Sequence, residues 1–505
     1  MAQPQTEAAP PSPSLDKSGT RTDAAGPDRR WWILALVGLA QLMVTLDATI
    51  VNIALPSAQA DLGFSDGDRT WIVTAYSLAF GSLLLLGGRI ADLFGRKLAF
   101  LVGVGGFAVA SALAGAASSF EMLVVGRALQ GVFGALLAPA ALSLLTTTFT
   151  DAKERAKAFG IFGAIAGSGA AVGLLLGGFL TEYMDWRWTL YVNLALAVVP
   201  LVGGWILLKR GTRDAGAKLD IPGTVLVTGG LFAVVFGFSR AESHGWDSPQ
   251  SWGFLAAGTV LLAAFTWWQT KASHPLLPLR VLLDRTRGAS FAVMLIVSAG
   301  MFGVFLFLTY YLQLTLGFSA VQTGLAFLPM VAALMVAATM ATSILLPRIG
   351  PKIVVALGMA LGAVGMAWLT GLGLDSSYAA HVLPPLLVLG VGIGLVMASG
   401  MSLATSGVAA DDAGVASASV NTMQQVGGSI GTALLNTLAA SAATSYLVGK
   451  NPADKLVQAQ AHLESYSTAY WWSAGFFAAG AVLALLLYRN GVPETDSNAA
   501  PTVHM

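Results

Sequence analysis

Long apolar runs constrain this chain more than any other feature. Fourteen of them, at about 32–55, 70–88, 98–118, 121–146, 156–181, 188–208, 221–239, 251–270, 289–313, 322–346, 352–373, 382–406, 414–440 and 470–488, carry very little charge. A helix needs about 20 apolar residues to cross the hydrocarbon of a bilayer. Lipid offers no partner for backbone polar groups, so segments of this length must satisfy them internally, as helices do. The composition agrees: 10% of the residues are charged, against about 25% in a soluble protein. The expected fold is an all-α polytopic membrane protein with fourteen transmembrane helices. The absence of cysteine excludes disulfides, thiol nucleophiles and cysteine metal sites.

Residues 1–30 are rich in Pro, Ala, Ser, Thr and charge and read as a disordered tail; 491–505 form a second tail. The first apolar run is too long, and its flank too poor in cleavage signals, for a removable signal peptide. Between the runs, Lys and Arg alternate in density. One set of segments, from Arg29 to Arg489, holds nineteen of them, and the other holds five (Arg69, Arg187, Arg240, Lys450 and Lys455). By the positive-inside rule the first set is cytoplasmic, which requires an even span count with both termini cytoplasmic. A weak repeat joins Gly87–Lys97, after the second run, to Leu346–Lys352, after the tenth. It divides the chain into two six-helix halves, 31–210 and 276–490, read as inverted repeats, with an inserted helix pair at 211–275. Repeat-built halves around a midplane site are characteristic of secondary transporters.

Asp47 is the carboxylate that sits well inside an apolar run. An acid in lipid is costly and points to function. Counted at 1.5 Å per residue from Trp32, it lies about 22 Å into a core of about 30 Å. Arg127, six residues after Glu121 on an inward-running helix, lies about 9 Å below the opposite surface. The two therefore share a depth and are expected to share a polar network. Gln130, three residues from Arg127, lies on the same helix face. Burial disfavours a charged carboxylate and a guanidinium favours it, so a cavity opening and closing around the pair would load and release a proton. A static ion pair that fixes helix packing is the alternative.

The expected substrate cavity draws on Asn52, Tyr76, Tyr310, Tyr311, Gln313, Asn421, Gln424 and Gln425, since rings with a few polar groups suit amphipathic ligands. With a single deep carboxylate, a neutral or singly cationic lipophilic molecule fits better than a highly charged one. No Walker loop is present, and the five His residues show no metal-ligand spacing. Gly427-Gly428-Ser429-Ile430-Gly431 matches a hydrolase pattern but lacks its strand-turn-helix context and a His partner. No catalytic residue, metal, cofactor or nucleic acid is expected. The expected partners are a small lipophilic substrate, protons and the bilayer, with the chain a monomer. Segment 441–469 reads as a solvated loop or a partly helical cap.

Several motifs resemble one known family. Gly88-x-x-x-Asp92-x-x-Gly95-Arg96-Lys97 is similar to the loop signature of the major facilitator superfamily, and Arg127-Ala128-Leu129-Gln130-Gly131 to its proton-linked signature. Leu46-Asp47-x-Thr49-x-Val51-Asn52-x-Ala54-Leu55-Pro56 resembles the first span of its fourteen-helix drug:proton antiporters. The resemblance implies multidrug or natural-product efflux across the cell (plasma) membrane, driven by the proton gradient. A proton-linked importer or lipid transporter on the same fold is the alternative. It also implies a gating loop in which Asp92 and Arg96 latch the halves. The fifth span keeps close-packing glycines at Gly169, Gly173, Gly177 and Gly178, which let helices approach in lipid. Leu174 replaces the usual proline there, and Phe133 stands where the fourth-span pattern has glycine.

Overall fold

The computed structural model describes residues 27–491, except 66–67, 150–151, 209–219, 245–247, 274, 278, 407, 409–412 and 452. Both terminal tails thus lie almost wholly outside the described residues. The regular elements among those described are helices: α1 (Pro27–Leu62), α2 (Arg69–Phe94), α3 (Arg96–Gly115), α4 (Phe120–Thr148), α5 (Ala152–Tyr183), α6 (Trp188–Leu207), α7 (Ile221–His244), α8 (Pro249–Gln269), the single turn α9 (Leu279–Leu282), α10 (Arg285–Tyr310), α11 (Ala320–Met340), α12 (Leu346–Leu369), α13 (Leu383–Thr405), α14 (Ala413–Leu447) and α15 (Lys455–Leu487). Short π-helical turns extend α10 and join α11 to α12. Among the described residues, ten stretches are both long and apolar enough to cross a membrane, one of them the 50-residue Ala320–Leu369 that holds α11 and α12. Large apolar side chains face outward, as lipid requires; Val109 and Trp205 are each 71% exposed.

The packing repeats. In the first half α1 packs on α5 and α6, and α4 on α2 and α3; in the second, α10 packs on α14 and α15, and α13 on α11 and α12. Matching α1–α6 with α10–α15 in order reproduces these pairs, so the halves are related directly. The inversion lies within each half. Exchanging α1–α3 with α4–α6 turns α1–α5 into α4–α2, and α1–α6 into α4–α3. Units of three alternating helices reverse direction when exchanged, which is the nested arrangement known from transporters. The halves meet along two equivalent seams, α2 with α14 and α5 with α11.

The repeated loops coincide in backbone geometry. Gly95, between α2 and α3, has φ 98°, and Gly350, inside the start of α12, has φ 76°. Both lie where an L side chain is strained, so each loop needs its glycine to reverse the chain. Elsewhere glycine permits close approach: a Cβ on Gly87 would run into the carbonyl of Ala135 on α4.

Of the inserted pair, α7 packs on both α2 and α14 with α8 packed on α7, so the pair lies over one seam. Thr228 on α7 donates to the Ser82 carbonyl on α2 at 3.0 Å. Asp220 ties the pair together: it accepts from Trp268 (2.7 Å), Gln269 (2.9 Å) and the Gly223 backbone (2.9 Å). Burial opposes the charge on Asp220, but these donors hold its carboxyl below the usual range.

Among its described residues, segment 441–469 is largely helical, in keeping with the partly helical alternative and not with a solvated loop. α14 runs on to Leu447 and α15 begins at Lys455. Asp454 caps α15 by accepting from the Leu456 backbone, and Tyr446 hydrogen-bonds Gln460 across the turn. Two long helices close on each other there, because both continue past their apolar windows with helix-forming Ala, Gln and Leu.

Gly87→Ala is expected to lower the unfolding midpoint of the purified protein by an amount equivalent to about 1–3 kcal/mol, the usual cost of overpacking. An unchanged midpoint in a thermal melt would contradict the close α2–α4 contact.

Candidate functional site: a buried charge network

Five helices of the first half converge on Asp47. The side chains of Asp47 and Gln130 are fully buried and that of Arg127 is 2% exposed. Arg127 Nη1 donates to Asp47 Oδ2 at 2.5 Å and to Gln130 Oε1 at 2.8 Å. Gln130 Nε2 donates to Asp47 Oδ1 at 2.9 Å and to Ser111 Oγ on α3 at 2.7 Å. Arg127 Nε reaches the Ile72 carbonyl of α2 at 3.1 Å, and its guanidinium lies 4.5 Å from the Tyr76 ring centre. Such buried pairs hold only when their remaining donors and acceptors are also engaged.

The helices that carry these groups are built for close approach. Gly131, one residue after Gln130, sits against the Tyr76 carbonyl and Ala79, and Gly126 sits against Ala114. A side chain at either would push α4 off α2 or α3 and open the network. Gly169, Gly173 and Gly177 of α5 receive Thr45, Thr49 and Ile50 of α1, whereas Gly178 faces Ala320 and Val321 of α11 across the seam.

The sequence reading does not include two side chains of the network, Ser111 and Asn193. Asn193 on α6 is fully buried and donates from Nδ2 to Asp47 Oδ1 at 2.8 Å, and its own Oδ1 has no hydrogen-bond partner. The available signal is an amide inside the sixth apolar run, the same kind of signal that singles out Asn52. Asn52 itself turns back to the Ala48 carbonyl of its own helix at 3.2 Å. A small cavity beside the network is lined by Ala54, Ala58, Ile72, Arg127, Trp186 and Thr189. Trp186 donates to Asp61 at 3.2 Å, and Arg187 pairs with the same carboxylate at 2.7 Å.

The other expected cavity residues scatter. Tyr310 lies on a seam and donates to Gln59 of α1 at 2.7 Å. Gln313 also crosses between the halves, donating to the Ile53 carbonyl at 3.3 Å. Tyr311 points into its own half: it is fully buried, donates to the Gly373 carbonyl at 2.8 Å and meets Tyr466 edge-on. Gln424 faces the sulfurs of Met294 and Met397, and Gln425 lies against Gly81 on the α2–α14 seam. Asn421, one turn before them on α14, is partly buried. In the gating loop, Gly88 makes ordinary contact with Pro139. Lys97 Nζ binds the Trp205 and Leu208 carbonyls, so it caps the end of α6 within its own half. The Asp92 side chain lies outside the described residues, and Arg96 is partly buried at the start of α3.

The family model of the Major Facilitator Superfamily matches residues 37–432. The chain belongs to this superfamily. It is 48% identical to a puromycin resistance protein of Streptomyces alboniger over 95% of each chain. It is 38% identical to a cephamycin export protein of Amycolatopsis lactamdurans, covering 81% of this chain and 85% of that one. Among solved structures, an auto-inhibited POT family peptide transporter superposes with TM-score 0.66 at 19% identity, over 94% of this chain and 99% of the other. At that identity the likeness concerns the fold. The chain is therefore a multi-pass membrane transporter.

Truncating Arg127 to Met leaves a fully buried carboxylate uncompensated and is expected to cost about 3–5 kcal/mol. Asp47→Leu combined with Arg127→Met removes both charges and is expected to restore much of that loss. A double variant less stable than Arg127→Met, by thermal melts in detergent, would contradict this account of the pair.

Proposed function

We propose that the chain is a proton-driven exporter of small lipophilic, neutral or singly cationic molecules, natural products or drugs, working by alternating access. In this reading fourteen helices cross the plasma membrane with both termini cytoplasmic, the proton gradient is the energy source, and the chain acts as a monomer. The observation that carries the reading is Asp47, fully buried yet gripped by Arg127, Gln130 and Asn193. When the surrounding helices part and water enters, the balance between desolvation and the guanidinium changes, and the carboxylate can exchange a proton. Relatives named for resistance and export support the outward direction.

The seam geometry supports a closed outer face. At the ends away from the Lys- and Arg-rich loops, Gly178 meets Ala320, Gly324 meets the Leu174 carbonyl, and Glu182 caps the start of α11 through the Val321 backbone at 2.9 Å. Leu174, at the usual proline position, is fully buried, and its carbonyl faces α11. A proton and a substrate cation would compete for the single Asp47 carboxylate, which limits substrates to low charge.

In cells expressing the chain, efflux of a panel including puromycin is expected to collapse when a protonophore is added. Asp47→Asn is expected to lower efflux at least tenfold and to abolish proton release on substrate addition to the purified protein. Efflux that persists with the protonophore and follows ATP, or proton release unchanged in Asp47→Asn, would overturn the proposal.

A further inference from the structure

A second buried cation lies on the seam, away from the Asp47 network. Arg69 opens α2 in the first half, and its side chain is 6% exposed. Its guanidinium carbon stands 4.2 Å from the Tyr310 ring centre and 5.8 Å from that of Phe307, both on α10 of the second half. Its Nη2 donates to Asn436 Oδ1 on α14 at 3.4 Å. Tyr310 in turn donates to Gln59 on α1. Every one of these contacts crosses between the halves.

We propose that Arg69 is the reversible outer latch of the transport cycle, held closed by the Tyr310 ring and released into water when the halves part. The inference rests on the alternating-access reading above. Arginine suits this task because its planar cation is weakly hydrated and binds a ring face well when desolvated. In the open state the same guanidinium is stabilised by water. A purely apolar seam would instead expose apolar surface on opening, at a cost proportional to the area bared. Arg69 thus keeps the closed and open states close in free energy, as a cycling gate requires. Asn436 holds the guanidinium over the ring.

The natural absence of cysteine makes the test direct. Ile53→Cys places one thiol at a fully buried seam position whose carbonyl accepts Gln313. Val448→Cys, in the exposed turn between α14 and α15, reports which membrane face that end occupies. Labelling by a membrane-impermeant maleimide is followed in right-side-out and inside-out vesicles of the full chain, and rates are compared in the orientation that labels Val448→Cys. Adding Arg69→Ala or Tyr310→Leu to Ile53→Cys is expected to speed labelling roughly fivefold to thirtyfold, the range from an exposed to a desolvated cation–π contact. Tyr310→Phe keeps the ring and is expected to stay close to the parent rate. Unchanged rates in Arg69→Ala and Tyr310→Leu would overturn the latch, as would Tyr310→Phe matching Tyr310→Leu. Labelling of Val448→Cys only in inside-out vesicles would overturn the assigned orientation while leaving the latch measurable.

Discussion

A carboxylate and a guanidinium with almost no access to solvent have to satisfy one another and then find partners for every remaining donor and acceptor. In this transporter that requirement draws α1, α2, α3, α4 and α6 to one point. Asp47 comes from α1, Arg127 and Gln130 from α4, Ser111 from α3, Asn193 from α6, and α2 supplies the Ile72 carbonyl and the Tyr76 ring. The glycines of α4 follow from it, since the network closes only if α4 approaches α2 and α3 closely. The second half fills its interior differently. Phe307 of α10 and Tyr311 of the π-helical turn that follows it pack against Tyr466 of α15, and Tyr470 is buried close by. A repeated scaffold thus carries charge in one half and aromatic bulk in the other.

That asymmetry separates two tasks. In the proposed cycle the first half responds to the proton, because its interior contains Asp47. The second half is the surface against which it moves. The contacts between them suit repeated making and breaking: glycine-lined crossings of α5 with α11, single hydrogen bonds such as Gln313 to Ile53, and the Arg69–Tyr310 contact. Each is individually modest. The inserted pair lies over the α2–α14 seam with its Asp220 knot, so it braces that seam from the lipid side.

Much of this is legible in the amino-acid sequence. Apolar run length determines the helical class, and the shared depth of Asp47 and Arg127 implies their meeting, because rise per residue converts sequence position into depth. Gln130 follows from helical spacing. The Gly95 and Gly350 loops announce the repeat, and both adopt positive φ. Asn193 and Arg69 are not legible in this way. Depth along a helix can be counted, whereas the direction in which α6 or the start of α2 faces depends on which neighbour it packs against. Tyr310 and Tyr311 show the same limit: adjacent in sequence, one meets the opposite half and the other its own.

The sequence by itself determined an all-helical membrane chain, its two-half repeat and the one acid that lipid would not tolerate alone. These follow from local quantities: hydropathy, spacing along a helix and backbone freedom at glycine. Only the tertiary structure decided that Asp47 is held by a second amide, from α6, that the inversion lies within each half, and that Arg69 rests on an aromatic face across the seam. Those outcomes depend on helix rotation and on which helices touch, which are set by the packing of the whole bundle and by no single segment.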